Sequence, residues 1–309
     1  MFVTVAAALE LELVGPAGEP VDFWRTIVSH GLTDLAPGHI DEEAGTYQTT
    51  VALPRGRPRT IRLSSGHPGV VRVEVLGGSV TRQLSPLVRR MLNLDEDLSP
   101  LYALARDDPQ LGWITKGAGR MLRAPTVFED VIKTICTTNV AWSATVRMTA
   151  ALVDHLGEPS AGRRGRAFPV PAAMAAADDA FYRDAVRAGY RGPYLRALAT
   201  SVADGALDLE ALRDPELPDE EARDRLLALP GIGPYAAAQV MMLLGRHSRL
   251  ILDSWTRPTY ARLNKRKAAD RTIERRFRRY GDYAGLAFWL YLTRDWVQPE
   301  GWTAAAFED

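Results

Sequence analysis

Five residues, Leu229-Pro230-Gly231-Ile232-Gly233, constrain this chain more than any others. Two glycines flank one apolar side chain and stand directly before an apolar run that ends near Leu244. Glycine reaches left-handed backbone without steric cost, so the pair permits a hairpin that aims its N–H groups outward at a helix start. That is an anion site, and a nucleic-acid phosphate is its natural occupant. Twenty residues past Gly233 stands a lone acid, Asp253, after the apolar run Leu250-Ile251-Leu252. It opens the segment Ser254-Trp255-Thr256-Arg257, where a carboxylate can cap the next helix and keep one oxygen for a cleft. The plainer alternative is a glycine turn between core helices, with Asp253 only a cap.

At 309 residues the chain can bury a full core and divides into two or three domains. Residues 1–85 carry short β-branched runs at Val3–Ala6, Tyr47–Leu53, Thr60–Leu63 and Val70–Val75, separated by turn clusters, with a helix expected over 22–28. This is an antiparallel sheet packed by at least one helix, an α+β domain whose role is read as structural. From Ser85 onward the helical period takes over. Helices are expected at 85–92, 99–106, 110–115, 126–138, 142–156, 171–177, 179–187, 192–204, 207–212, 218–229, 234–245, 254–264, 270–280 and 283–296. The region 86–309 then forms two lobes with a cleft between them: 125–250, with the hairpin at 229–235, and 86–124 plus 251–309. The expected class is mainly α with an N-terminal antiparallel α+β domain.

Composition narrows the partners. No apolar run reaches transmembrane length and the N-terminus lacks a charged n-region, so a cytoplasmic monomer without membrane contact is expected. The one cysteine, Cys136, excludes an internal disulfide and a four-cysteine iron–sulfur cluster. Net charge is zero, so any nucleic-acid footprint must be a local patch. Between Arg257 and Arg279 lie ten Arg/Lys against Asp270 and Glu274, a run that either tracks phosphates or is a solvated helix face. The loop Ser160–Arg166 is basic and glycine-rich, and reads equally as a phosphate contact or as plain surface.

The hairpin, its apolar helix and an aspartate at this distance resemble the helix-hairpin-helix DNA glycosylase superfamily. Three further segments resemble its 8-oxoguanine members. Thr134-Ile135-Cys136-Thr137-Thr138-Asn139 is similar to a helix end whose asparagine fills the gap opposite the flipped base, although Asn139 also reads as a C-cap. Gly189-Tyr190-Arg191 is similar to a segment whose tyrosine wedges into the base stack and whose arginine meets the partner base; a core-edge aromatic is the other reading of Tyr190. The helix Tyr283–Leu292 is similar to one that supplies a glutamine and a phenylalanine to the base. Here those positions are Phe288 and Leu292, which argues against 8-oxoguanine recognition.

The resemblance implies a protein that flips a damaged base out of double-stranded DNA and breaks its N-glycosidic bond. Positive charge builds on the sugar as that bond breaks, and a fixed carboxylate, Asp253, would stabilise it and orient water. Two residues past Gly233, where bifunctional relatives carry a Schiff-base lysine, stands Tyr235, so a monofunctional enzyme is expected. Tyr235, Phe288, Trp142 or Trp24 with Gln239 as a polar reader would form a pocket suited to alkylated purines of the 3-methyladenine or 7-methylguanine type. Gly231, Gly233, Asn139, Tyr190, Arg191 and Arg257 are the expected DNA contacts. No cofactor is required, but the family's hairpin holds Na+ or K+ through main-chain carbonyls, here those of Leu227, Leu229 and Ile232. An oxidised-purine glycosylase, or a non-catalytic damage-binding protein, is the alternative.

Overall fold

The computed structural model describes residues 7–298 and 301–302; the expected strand at Val3–Ala6 falls outside them. The N-terminal sheet has five strands, β1 (Ala7–Glu12), β2 (His39–Asp41), β3 (Thr46–Val51), β4 (Arg59–Ser65) and β5 (Val70–Leu76). Their order is β1-β5-β4-β3-β2, and all the pairings are antiparallel. Apolar residues at alternate positions, Ile61 and Leu63 on β4 and Val71, Val73 and Val75 on β5, give one buried face. Helix α1 (Phe23–Ile27), capped by the Asp22 carboxylate accepting from Arg25 N at 2.9 Å, packs on that face. Strand β2 was not expected, because three residues are too short for a period to register.

The rest is helical: α2 (Leu84–Met91), α3 (Ser99–Ala105), α4 (Val127–Thr137), α5 (Trp142–Leu156), α6 (Pro171–Ala176), α7 (Gly192–Ala203), α8 (Asp219–Leu227), α9 (Pro234–Leu243), α10 (Thr256–Leu263), α11 (Asp270–Phe277) and α12 (Ala284–Thr293). The helices expected at 110–115, 179–187 and 207–212 are shorter and tighter or wider turns instead, 3-10 at Gly112–Lys116 and Glu210–Arg213 and π at Phe181–Ala185. The chain then closes on a small antiparallel pair, β6 (Val297–Gln298) and β7 (Gly301–Trp302), which the sequence did not signal.

Three apolar clusters hold these elements. One lies under the sheet, one gathers Val127–Met241, and one gathers Leu98–Met121 with Met242–Trp296. Helix α2 differs from expectation: its stripe Leu84, Leu87, Val88 and Met91 is buried in the sheet's cluster, so it packs with the sheet and not with the second helical cluster. Helix α9 runs through the boundary between the two helical clusters. Ala236, Ala237, Val240 and Met241 serve the first, and Met242 and Leu243 the second. A helix apolar all round is what such a shared position requires. Buried ions tie the sheet to the helices, with Arg120 donating to Glu19 Oε1 at 2.6 Å and Lys133 Nζ to Leu35 O at 3.1 Å. The loop Ser160–Arg166 docks on the sheet, Ala161 N donating to Pro58 O at 3.0 Å. Among the described residues no helix is long and apolar enough to cross a membrane.

Candidate functional site

The hairpin joins α8 to α9. Gly231 takes φ +81°, and Ile232 N donates to Leu229 O at 3.2 Å, closing the turn. Gly233 caps α9 with extended backbone and Pro234 fills the first helical position, where a missing N–H costs nothing. An open groove of about 550 Å³ runs past this hairpin, lined by Gly231, Gly233, Asn139, Tyr190 and Asp253. Asn139 sits in left-handed backbone (φ +47°), and Tyr190 stands more than half exposed at the groove's edge, its ring 6.2 Å from that of Tyr194.

Behind the groove lies an aromatic pocket of about 220 Å³, lined by Trp142, Tyr235, Trp255, Trp289 and Trp296 together with His30, Gln239 and Asp253. Trp255, Trp289 and Trp296 pack tilted and edge-to-face in one cluster, with ring centroids 5.5–5.7 Å apart. Asp253 and Tyr235 line both spaces, so they mark the junction between groove and pocket. Asp253 is anchored by one oxygen. Its Oδ1 accepts from Trp255 N at 2.9 Å and Thr256 N at 2.7 Å, while its own N–H donates to Thr256 Oγ1 at 2.8 Å. This reciprocal cap fixes the carboxylate at the start of α10 and leaves Oδ2 without a hydrogen bond among the described residues. Tyr235 Oη lies 3.3 Å from Thr137 Oγ1; burial raises its pKa and the Asp253 charge adds to that, so the phenol stays protonated. Gln239 is 3% exposed, and its Nε2 has no partner.

Several expected site residues stand elsewhere. Phe288 is fully buried, packed 5.2 Å from the Phe277 ring and 6.2 Å from Tyr260, and does not line the pocket. Its neighbour Trp289 does, about 100° further round α12. Every residue of α12 is buried, so its sequence carries no sign of which face meets the pocket. Trp24 packs against the sheet's cluster instead. Arg191 is 5% exposed and turned inward, its guanidinium donating to Thr138 O and lying 4.4 Å from the Tyr190 ring; it braces the groove's wall rather than facing a partner base. Arg257 is exposed but forms a bidentate pair with Asp270 at 2.9 and 3.0 Å. Of the basic run, Arg276 is held by Asn264 and Arg279 by Asp108, whereas Arg262, Lys265, Arg266, Lys267, Arg271, Arg275 and Arg278 are exposed.

Sequence reasoning missed His30, Trp255, Trp289 and Trp296. Trp255, two residues past Asp253, could have been found, since the cap that orients Asp253 also fixes its neighbours. His30 could not, because it comes from the sheet domain.

No family model matches the chain. It is 28% identical over 244 residues to the "Probable bifunctional transcriptional activator/DNA repair enzyme AlkA" of Mycobacterium tuberculosis, a match covering 77% of this chain and 47% of that protein. The chain thus spans about half the length of that relative. It is 29% identical over 217 residues to "N-glycosylase/DNA lyase OGG1" of Arabidopsis thaliana, covering 63% of this chain and 58% of the other. The solved 3-methyladenine DNA-glycosylase of Archaeoglobus fulgidus superposes with a TM-score of 0.69 at 22% identity, covering 92% of this chain and 97% of that one. By hairpin and relatives the chain is similar to the helix-hairpin-helix DNA glycosylases, of both the alkylpurine and the 8-oxoguanine types, and it shares the fold of a 3-methyladenine DNA-glycosylase.

Proposed function

We propose that this protein is a monofunctional DNA N-glycosylase that takes an extruded, alkylated purine into the aromatic pocket and hydrolyses its glycosidic bond. The observation that carries this reading is Asp253, held by one carboxylate oxygen where the groove meets the pocket, with the other free of hydrogen bonds from the described residues. With the duplex along the groove and the base in the pocket, the sugar passes this junction. A carboxylate there stabilises the charge that develops at C1′ and orients water for attack. Indole and phenol faces attract an electron-poor, cationic base through the ring quadrupole. A 3-methyladenine or 7-methylguanine base is of that kind, and its bond to the sugar is already weakened.

The side chains present support water as the nucleophile. Strand cleavage through a Schiff base needs an amine, and among the described residues no lysine lines either the groove or the pocket. Tyr235 offers only a neutral phenol. The hairpin's carbonyls suit a monovalent cation: those of Leu227 and Ile232 accept no main-chain hydrogen bond, and that of Leu229 accepts one. Such a cation would rigidify the turn that meets a phosphate.

Asp253→Asn separates an enzyme from a damage binder. It is expected to slow excision by roughly 10²–10³-fold while leaving duplex affinity within a few-fold. Equal excision by the variant and the parent protein would remove Asp253 from the chemistry.

A further inference from the structure

The segment Ser29–Leu35 of the sheet domain is hydrogen-bonded into the helical body at four points. Leu122 N donates to Ser29 Oγ at 3.0 Å, Trp289 Nε1 to Ser29 O at 2.8 Å, and Lys133 Nζ to Leu35 O at 3.1 Å. The fourth is His30, whose Nε2 meets Leu122 O at 2.7 Å. A carbonyl oxygen can only accept, so the imidazole carries its proton on Nε2. Burial pushes the His30 pKa down to about 4, and the Lys133 charge nearby acts in the same direction. The ring is therefore neutral near pH 7, and Nδ1 presents a bare lone pair.

That lone pair has no partner among the described residues. His30 is 5% exposed and lines the aromatic pocket, and its Nδ1 is sealed from solvent in the pocket's wall. Gln239 lines the same pocket from α9 and has its own buried, unpaired Nε2. Buried polar atoms without partners are rare because each forfeits its hydrogen bonds to water. Two in one pocket walled largely by aromatic rings find their explanation in a ligand that pairs both.

We propose that His30 and Gln239 read the hydrogen-bonding edge of the extruded base, with His30 Nδ1 accepting from an N–H of the base and the Gln239 amide pairing an adjacent atom. This deepens the glycosylase reading above and rests on it. The two residues are not equivalent. An amide can rotate to donate or accept, whereas Leu122 locks His30 as an acceptor. The fixed demand is thus an N–H on the base, and lesions in which that N–H is alkylated or bridged are refused. A neutral imidazole also leaves a cationic base unopposed. The sheet domain, by supplying His30, takes part in base selection.

Two conservative variants distinguish reading from bracing. His30→Gln can keep a donor to Leu122 O but removes the acceptor at the δ position, and His30→Asn does the reverse. The probe is a duplex carrying one 7-methylguanine, followed under single-turnover conditions, with Tm measured for each protein. His30→Gln is expected to slow excision about tenfold or more at nearly unchanged Tm. His30→Asn, which restores the acceptor, is expected to recover most of the rate that His30→Gln loses while lowering Tm. In the Asp253→Asn background, His30→Gln should also narrow the affinity gap between the lesion duplex and an undamaged one. The opposite order, Gln benign and Asn slow, would make His30 a brace and overturn the proposal, as would two variants that both match the parent protein. A parent protein that excises none of the methylated purines overturns the glycosylase reading and this one with it; normal excision with indifferent His30 variants overturns this one alone.

Discussion

Asp253 and Thr256 hold one another, the backbone N–H of each donating to a side-chain oxygen of the other. Thr256→Ala removes the acceptor for Asp253 N and loosens the backbone that carries the carboxylate, while the bonds from Trp255 N and Thr256 N to that carboxylate remain. It is expected to cost about 1 kcal/mol of stability, read as a lower urea midpoint, and to slow excision without weakening DNA binding. The residue scale is also where the sequence was most and least legible. Asp253 could be found because its cap and its spacing from the hairpin are both local. Tyr235 and Gln239 followed from the same helix, one turn apart. Phe288 could not be placed, since a helix buried on every side shows no preferred face. Nor could Arg191, because an arginine that braces a carbonyl looks the same in sequence as one that meets a base.

The hairpin depends on one backbone conformation. Gly231 holds φ +81°, and a Cβ there would meet Tyr194 Cδ2 at 2.9 Å. Gly231→Ala is expected to cost about 1–2 kcal/mol from backbone strain alone and to weaken duplex binding, measured by titration of a labelled duplex. Helix α4 carries a pH dependence. Asp130 accepts from Ala124 N at 3.1 Å, and burial pushes its pKa up to about 7, with Glu129 adding and Arg213 and Lys133 opposing. Between about 4, its ordinary value, and about 7, the folded protein holds a proton that the unfolded chain has lost, so this group's contribution to stability falls as pH rises through that window. Asp130→Asn, which never carries the charge, is expected to gain in Tm relative to the parent protein more at pH 8 than at pH 5. A gap independent of pH would show that Asp130 ionises normally. Helices α4, α5, α7 and α9 were legible because their apolar spacing recurs over several turns. Strand β2 and the pair β6–β7, two or three residues each, carry no period to read.

The molecule as a whole has no net charge, so the proposed DNA partner would have to be met by a local patch. Arg257, Arg276 and Arg279 are engaged by Asp270, Asn264 and Asp108, which leaves seven exposed cations of that run for phosphates. Affinity for duplex is expected to fall with salt, and replacing Lys265, Arg266 and Lys267 by Ser to flatten the log–log slope by up to about 3. An unchanged slope would move the footprint elsewhere. Sequence patterning conveyed the division into a sheet and a helical body, since β-branched alternation gives way to the helical period near Ser85. It did not convey that a loop of the sheet domain walls the pocket, because contacts such as His30 to Leu122 join residues far apart in the chain. The most direct measurement is excision by the purified protein from duplexes that each carry one lesion: 3-methyladenine, 7-methylguanine, 8-oxoguanine, hypoxanthine or uracil. Products would be resolved with and without hot alkali. Strand breaks at a methylated purine that appear only after alkali are the expected result. Breaks without alkali, or tight binding with no excision of any lesion, would contradict it.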